Sequence, residues 1–168
     1  MLHVVIGPMF GGKTSFLSDV LKDKKQSVYI THSIDNRGEF FYSHDPTITF
    51  TNVICKKTDE LTDNLVDGYD YIGIDEAQFF KNLKSSVIHW VEDLNKTVYV
   101  VGLNCDYKRE KFGEITDLLP LADSVEMIQS TCRCGKDALF SHRKTKTNDQ
   151  IMIGKDEYEP LCRRCFTI

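Results

Sequence analysis

The sequence predicts an α/β fold, a parallel sheet flanked by helices, followed by a small cysteine-bearing lobe. Three observations carry that expectation. Short apolar runs alternate with amphipathic segments along residues 2–129, the pattern of strands joined by crossover helices. A glycine-rich stretch, GPMFGGKTS (7–15), sits between the first run and the first amphipathic segment. From Thr131 onward the texture changes to paired cysteines, basic residues and few long apolar runs. The expected division is 1–130 for the α/β part and 131–168 for the lobe.

The elements follow in chain order. LHVVI (2–6) is a short buried strand that feeds the glycine-rich stretch. Phe16, Leu17, Val20 and Leu21 recur at helical spacing, so a helix is expected from Thr14 to about Lys25. SVYIT (27–31) is the second strand. THSIDNRGEFFYSHDP (31–46) is polar and long enough for a functional loop. TDELTDNLV (58–66) reads as a helix, with Thr58 as N-cap and Leu61 as an early core contact. DYIGID (70–75) is the third strand, Phe79 to Asn95 a helix, KTVYVVG (96–102) the fourth strand and SVEMIQ (124–129) the fifth. No internal repeat interrupts the series.

Composition narrows the class. A chain of 168 residues can bury one sizeable core with a small appendage. Its 41% hydrophobic and 27% charged content is ordinary for a soluble globular protein. No apolar run approaches the roughly 20 residues that cross a bilayer, and no secretory leader precedes the first motif. A cytoplasmic protein with no membrane partner is expected. The net charge of −4 opposes a general polyanion-binding surface, so no nucleic acid partner is expected. The charge is uneven: 13 Lys/Arg stand against 20 Asp/Glu in residues 1–131, and 8 against 5 in 132–168. That modest cationic excess suits a small phosphorylated ligand better than a polymer. Six cysteines without an export signal point to thiols or a metal site, not a disulfide framework.

Gly7, Pro8, Met9, Phe10, Gly11, Gly12, Lys13 and Thr14 satisfy G-x-x-x-x-G-K-[ST] in full, with a strand before and a helix after. This is a P-loop. Its glycines let backbone N–H groups converge on phosphate oxygens, and the helix N-terminus adds partial positive charge. Lys13 would reach the β- and γ-phosphates of ATP, and the Thr14 hydroxyl would bind Mg2+. Such a site needs a carboxylate at the end of a neighbouring strand. Asp75 closes DYIGID and Glu76 follows it. One acid would hold Mg2+ and the other accept a proton from whatever attacks the γ-phosphate. Spacing does not say which does which.

In the lobe, Cys162-Arg163-Arg164-Cys165 has the C-x-x-C spacing of a metal knuckle, and Cys132-Arg133-Cys134 forms a second, closer pair. Four thiolates in two pairs match a tetrahedral structural zinc site. The C-x-C spacing leaves the fourth ligand open among Cys132, His142 and water, with a reduced thiol cluster as the alternative. Cys55 and Cys105 read as buried small apolar residues. His32, His44 and His89 have no useful partner spacing, and His89 reads as a surface or packing residue of its helix.

GPMFGGKTS, DEAQFF (75–80), GLNCDYKREKFGEITDLLPLADSV (102–125) and a terminal lobe with IGKDEYEPLCRRC occur in that order. Together they resemble the type II thymidine kinases over almost the whole chain. The resemblance implies a RecA-like core, and a zinc lobe with a lasso-type loop that covers the nucleoside. It implies transfer of the ATP γ-phosphate to the 5′-hydroxyl of thymidine. Glu76 would be the general base, Asp75 would serve the metal and Gln78 would join the nucleotide-binding residues. Asp35 and Arg37 match a D-x-R element that reaches the transferring phosphate. Met9, Phe79, Leu103, Tyr107 and Phe112 match positions lining the nucleoside pocket, and Ser141, Ile153, Gly154 and Tyr158 match the segment over the thymine. A homotetramer and feedback inhibition by thymidine triphosphate (dTTP) are also implied.

The chain departs from the family pattern at Ala77, where glycine is usual, and at Tyr107, where phenylalanine is. It departs again at Ser141, where threonine is common, and at the C-x-C pair. Other readings are a deoxynucleoside kinase of broader base preference, a nucleic-acid-dependent ATPase and a silent nucleotide-binding protein. The second lacks a partner RecA-like domain and a basic face. The third is opposed by the joint presence of Lys13, Thr14, Arg37, Asp75 and Glu76.

Overall fold

The alternation of side chains along each apolar run decides which face of the sheet it covers. The computed structural model describes residues 1–34, 53–145, 148–152, 154 and 156–167. Among them β1 (Leu2–Gly7), β2 (Ser27–His32), β3 (Ile54–Thr58), β4 (Tyr71–Asp75), β5 (Thr97–Leu103) and β6 (Ser124–Met127) form one sheet. Its order is β3-β2-β4-β5-β1-β6, and every pairing is parallel. Val4, Ile6, Val28, Ile30, Ile72, Ile74, Val98 and Val100 belong to one core layer. Leu83, Val87 and Trp90 of α2 (Leu83–Glu92) complete it, with Ile115 and Leu118 from a 3-10 segment, Ile115–Leu121. Val5, Tyr29 and Val101 form the opposite layer with Leu17 and Leu21 of α1 (Lys13–Leu21). Covering both faces is what a parallel sheet requires.

Strand order places the loops that matter. From β1 the chain crosses over β5 and β4 to β2, three positions away, whereas from β4 it continues the other way to the adjacent β5. The segments leaving the carboxyl ends of β1 and β4 therefore part to opposite faces, and such a divergence opens a ligand crevice.

Several sequence expectations change. Residues 58–66 do not form a helix: Thr58 ends β3, and its hydroxyl accepts from the Glu60 N–H. A 3-10 turn, Asp63–Leu65, is the helical remnant. The segment is rich in Thr, Asp and Asn, whose side chains bond nearby backbone and compete with a helix. Leu61 is nevertheless buried at 3% exposure. The strand ICKKT went unread because its exposed residues include Ile54 and Lys57 and it has one paired neighbour, β2. α2 starts at Leu83, not Phe79, because a 3-10 turn (Ala77–Phe79) intervenes, and α1 stops at Leu21.

Beyond the sheet, β7 (Ser130–Thr131) pairs with β8 (Asp137–Ala138) as a small antiparallel ribbon. β9 (Phe140–Arg143) pairs with β10 (Tyr158–Leu161), Arg143 opposite Tyr158, and α3 (Arg163–Phe166) follows. No helix among the described residues is long and apolar enough to cross a membrane.

Candidate active site

The loop between β1 and α1 carries the first half of the site. Gly12 has φ +81 at the N-cap of α1, a left-handed conformation that glycine adopts without penalty. This turn places Lys13 and Thr14 in the first turn of the helix. Lys13 is 8% exposed, and its Nζ donates to the Pro8 carbonyl at 2.6 Å, across the loop. Phe10 carries φ +62, and its carbonyl accepts from Ser130 Oγ at 3.0 Å.

The second half comes from the end of β4. Asp75 is 1% exposed, which leaves a carboxylate needing donors. Its Oδ2 accepts from Thr14 Oγ1 at 2.7 Å and from Tyr29 Oη at 2.8 Å, and its Oδ1 accepts from the Glu76 N–H at 2.8 Å. Thr14 and Asp75, the two residues expected at Mg2+, thus meet directly. Glu76 follows in a left-handed conformation, φ +51, which turns the chain out of the strand and leaves the side chain half-buried. Its Oε2 accepts from Gln78 Nε2 at 2.6 Å.

Apolar and aromatic residues expected around the nucleoside fall into linked contacts. Phe79 and Phe112 meet edge to face, centroids 5.5 Å apart. The Leu103 N–H donates to Gln78 Oε1 at 3.0 Å, and the Met9 N–H donates to Ser141 Oγ at 2.9 Å. Ser141 is buried, and its hydroxyl is engaged with the phosphate loop. Arg143 lies 3.8 Å over the Tyr107 ring and donates from Nε and Nη2 to the Tyr158 hydroxyl at 3.1 and 2.6 Å. It also donates to the carbonyls of Asp149 and Gln150. Gly154 is half-buried. Asp35, Arg37 and Ile153 lie outside the described residues, as does His44.

Sequence reasoning missed Tyr29 and Arg143. The signal for the first was a tyrosine inside a buried strand, whose hydroxyl needs a polar partner.

In the lobe, Cys132, Cys134, Cys162 and Cys165 place their sulfurs within 4.8 Å of one another, the metal-compatible cluster among the described residues. Cys134 Sγ lies 3.5 Å from Cys132 Sγ and 3.6 Å from Cys162 Sγ. Tetrahedral Zn–S bonds of about 2.3 Å set neighbouring sulfurs roughly 3.8 Å apart, so the four thiols fit zinc. Cys132 therefore joins the set, and His142 instead packs edge-on against Phe166. A backbone N–H of Cys134 holds the Cys132 thiol down to about 6, whereas its sulfur neighbours, Cys134 first, push Cys165 up to about 12. Cys55 and Cys105 lie apart from the cluster; Cys105 is buried as expected but Cys55 is only half-buried, and burial lifts both thiols to about 11.

A loop shaped to take a phosphate chain and a buried acid bonded to that loop's threonine are what an α/β phosphotransferase of the kinase type requires. That is the class of protein the fold and site define. The chain belongs to the thymidine kinase family, whose model, "Thymidine kinase", matches residues 1–166. It is 39% identical to the thymidine kinase of Amsacta moorei entomopoxvirus, over 98% of this chain and 97% of that one. It is 38% identical to the thymidine kinase of Fowlpox virus (strain NVSL), over 98% and 96%. It is 36% identical to that of Bacteroides thetaiotaomicron, over 98% and 86%.

Proposed function

We propose that this protein transfers the γ-phosphate of ATP to the 5′-hydroxyl of thymidine, giving thymidine 5′-phosphate for DNA precursor supply. The observation that carries the reading is the 2.7 Å hydrogen bond between Thr14 and the buried Asp75, with Glu76 next in the chain. The hydroxyl and carboxylate oxygens are the hard donors Mg2+ takes. When bound, Mg2+ would offset charge on the β- and γ-phosphates. The P-loop backbone, Gly7 to Thr14, would hold the phosphates, with Lys13 turned from the Pro8 carbonyl toward them. Glu76 would accept the proton of the 5′-hydroxyl as it attacks.

Family correspondence alone supports a role for Asp35 and Arg37 at the transferring phosphate. Residues 131–168 would cover the base, with Met9, Phe79, Leu103, Tyr107, Phe112, Ser141, Ile153, Gly154 and Tyr158 around the nucleoside. A structural zinc on the four cysteines would cross-link that lobe. The same reading includes a homotetramer, feedback inhibition by dTTP and a cytoplasmic location.

The test is transfer of labelled γ-phosphate to thymidine, with deoxyuridine, deoxycytidine and no acceptor in parallel. Label on thymidine well above the other reactions is the expected result; release only as free phosphate would overturn the reading. Glu76→Gln should keep ATP binding while kcat falls by about 10²–10⁴, the span for a lost general base. Near-normal turnover would remove Glu76 from that role.

A further inference from the structure

The family correspondence puts Gln78 among the nucleotide-binding residues, yet both ends of its amide are already engaged inside the protein. The side chain is 3% exposed. Its Oε1 accepts from the Leu103 N–H at 3.0 Å, at the end of β5, and its Nε2 donates to Glu76 Oε2 at 2.6 Å, at the end of β4. The two bonds fix the amide's orientation. A flipped amide would set NH2 against an N–H donor and oxygen against a carboxylate, two repulsions in a buried place.

The backbone is built around this arrangement. At Gly102 a Cβ would stand 2.6 Å from Gln78 Oε1, so the absence of a side chain there gives the amide its room. The 3-10 turn that carries Gln78 is closed by the Phe79 N–H on the Glu76 carbonyl at 3.1 Å, which sets the backbone between Glu76 and Phe79.

We propose that Gln78 is a positioning residue for Glu76: an amide pinned to β5 that holds the carboxylate where it can take a proton, without touching the nucleotide. The proposal rests on the reading of Glu76 as the base. A half-buried glutamate has several rotamers, and a base displaced by about 1 Å can lose up to roughly a hundredfold in rate. A fixed donor on Oε2 narrows the orientations the carboxylate can take.

The test is a double-mutant cycle read in kcat, with both KM values and a thermal melt for each protein. Gln78→Met removes both bonds. Gln78→Glu keeps an acceptor for the Leu103 N–H, replaces the donor with a second carboxylate, and serves where the methionine variant folds poorly. Each should lower kcat about tenfold or more, with both KM values within about twofold. In a Glu76→Gln background the same substitutions should cost less than about twofold, since no base remains to be positioned. Equal losses in both backgrounds would show a purely structural role and overturn the proposal. A raised ATP KM at unchanged kcat would show a nucleotide contact and do the same. Full turnover in Glu76→Gln alone would instead overturn the reading of Glu76 itself, before any Gln78 variant is compared.

Discussion

His89 draws a charge from neighbours that its sequence position does not reveal. It lies in the last turn of α2, its Nδ1 2.7 Å from Asp93 Oδ2 and its Nε2 3.3 Å from Asp63 Oδ2. The Asp93 hydrogen bond, helped by the Asp63 charge, lifts its pKa above the ordinary 6.5. A raised value means the imidazolium is favoured by folding. Its contribution is fully present below the unfolded pKa and fades as pH rises through the folded one. Asp93→Asn should therefore lower Tm at about pH 5.5 and leave it nearly unchanged at about pH 9. Equal losses in melts at both values would show that the pair acts by packing or capping instead. Residues of this kind mark where sequence reading stopped. Lys13, Thr14, Asp75 and Glu76 could be proposed from the sequence because their chemistry is local to a motif and a strand end. Tyr29 and Gln78 were not legible as partners of Asp75 and Glu76, because Tyr29 lies 46 residues from Asp75 and the Gln78 amide is held by Leu103, 25 residues away.

Elements with a strong apolar period were legible to within a few residues, and those shaped by side-chain–backbone bonding were not. β1, β2, β4 and β5 match their apolar runs, whereas β3 hides in a half-exposed edge strand and 58–66 turns instead of coiling. The hairpin of β9 and β10 could not be read at all, since its organiser is a single cation. Arg143 is 5% exposed, stacks on Tyr107, and donates to the Tyr158 hydroxyl and to the carbonyls of Asp149 and Gln150. Gln150 Nε2 in turn donates to Asp106 Oδ2 at 2.8 Å. Gln150, between the two strands, is thus anchored to the loop after β5. Hydrogen bonds from a charged donor contribute roughly 1.5–3 kcal/mol each, and a planar fork is not replaced by a point charge. On the proposed reading, Arg143→Met should raise the thymidine KM about tenfold or more while the ATP KM changes little. Arg143→Lys should recover only part of the loss. Steady-state kinetics with each substrate varied in turn decides it, and parallel rises in both KM values would place Arg143 in general stability.

At the scale of the whole molecule, the sheet and the cysteine lobe meet through the phosphate loop and the loop after β5. Ser141 of β9 holds the Met9 N–H, Ser130 of β7 holds the Phe10 carbonyl, and Asn104 Nδ2 donates to the Leu139 carbonyl at 3.3 Å. A change that loosens the lobe should therefore be felt where phosphate binds as well as where a base would sit. Among the described residues the lobe's own core is small, with Cys132, Ala138, Leu161 and Cys162 as its buried members. A core of that size does not hold a fold by apolar burial alone, and metal binding is the usual supplement. The protein should carry about one zinc per chain by elemental analysis. Cys165→Ser, or removal of the metal with a chelator, should lower Tm and raise the thymidine KM. Cys55→Ser, outside the cluster, should retain both the metal and the KM. Well under one zinc per chain in fresh protein, with Tm and KM unmoved by chelation, would assign the four thiols to packing and leave the hydrogen bonds to the P-loop and to the loop after β5 as what holds the lobe.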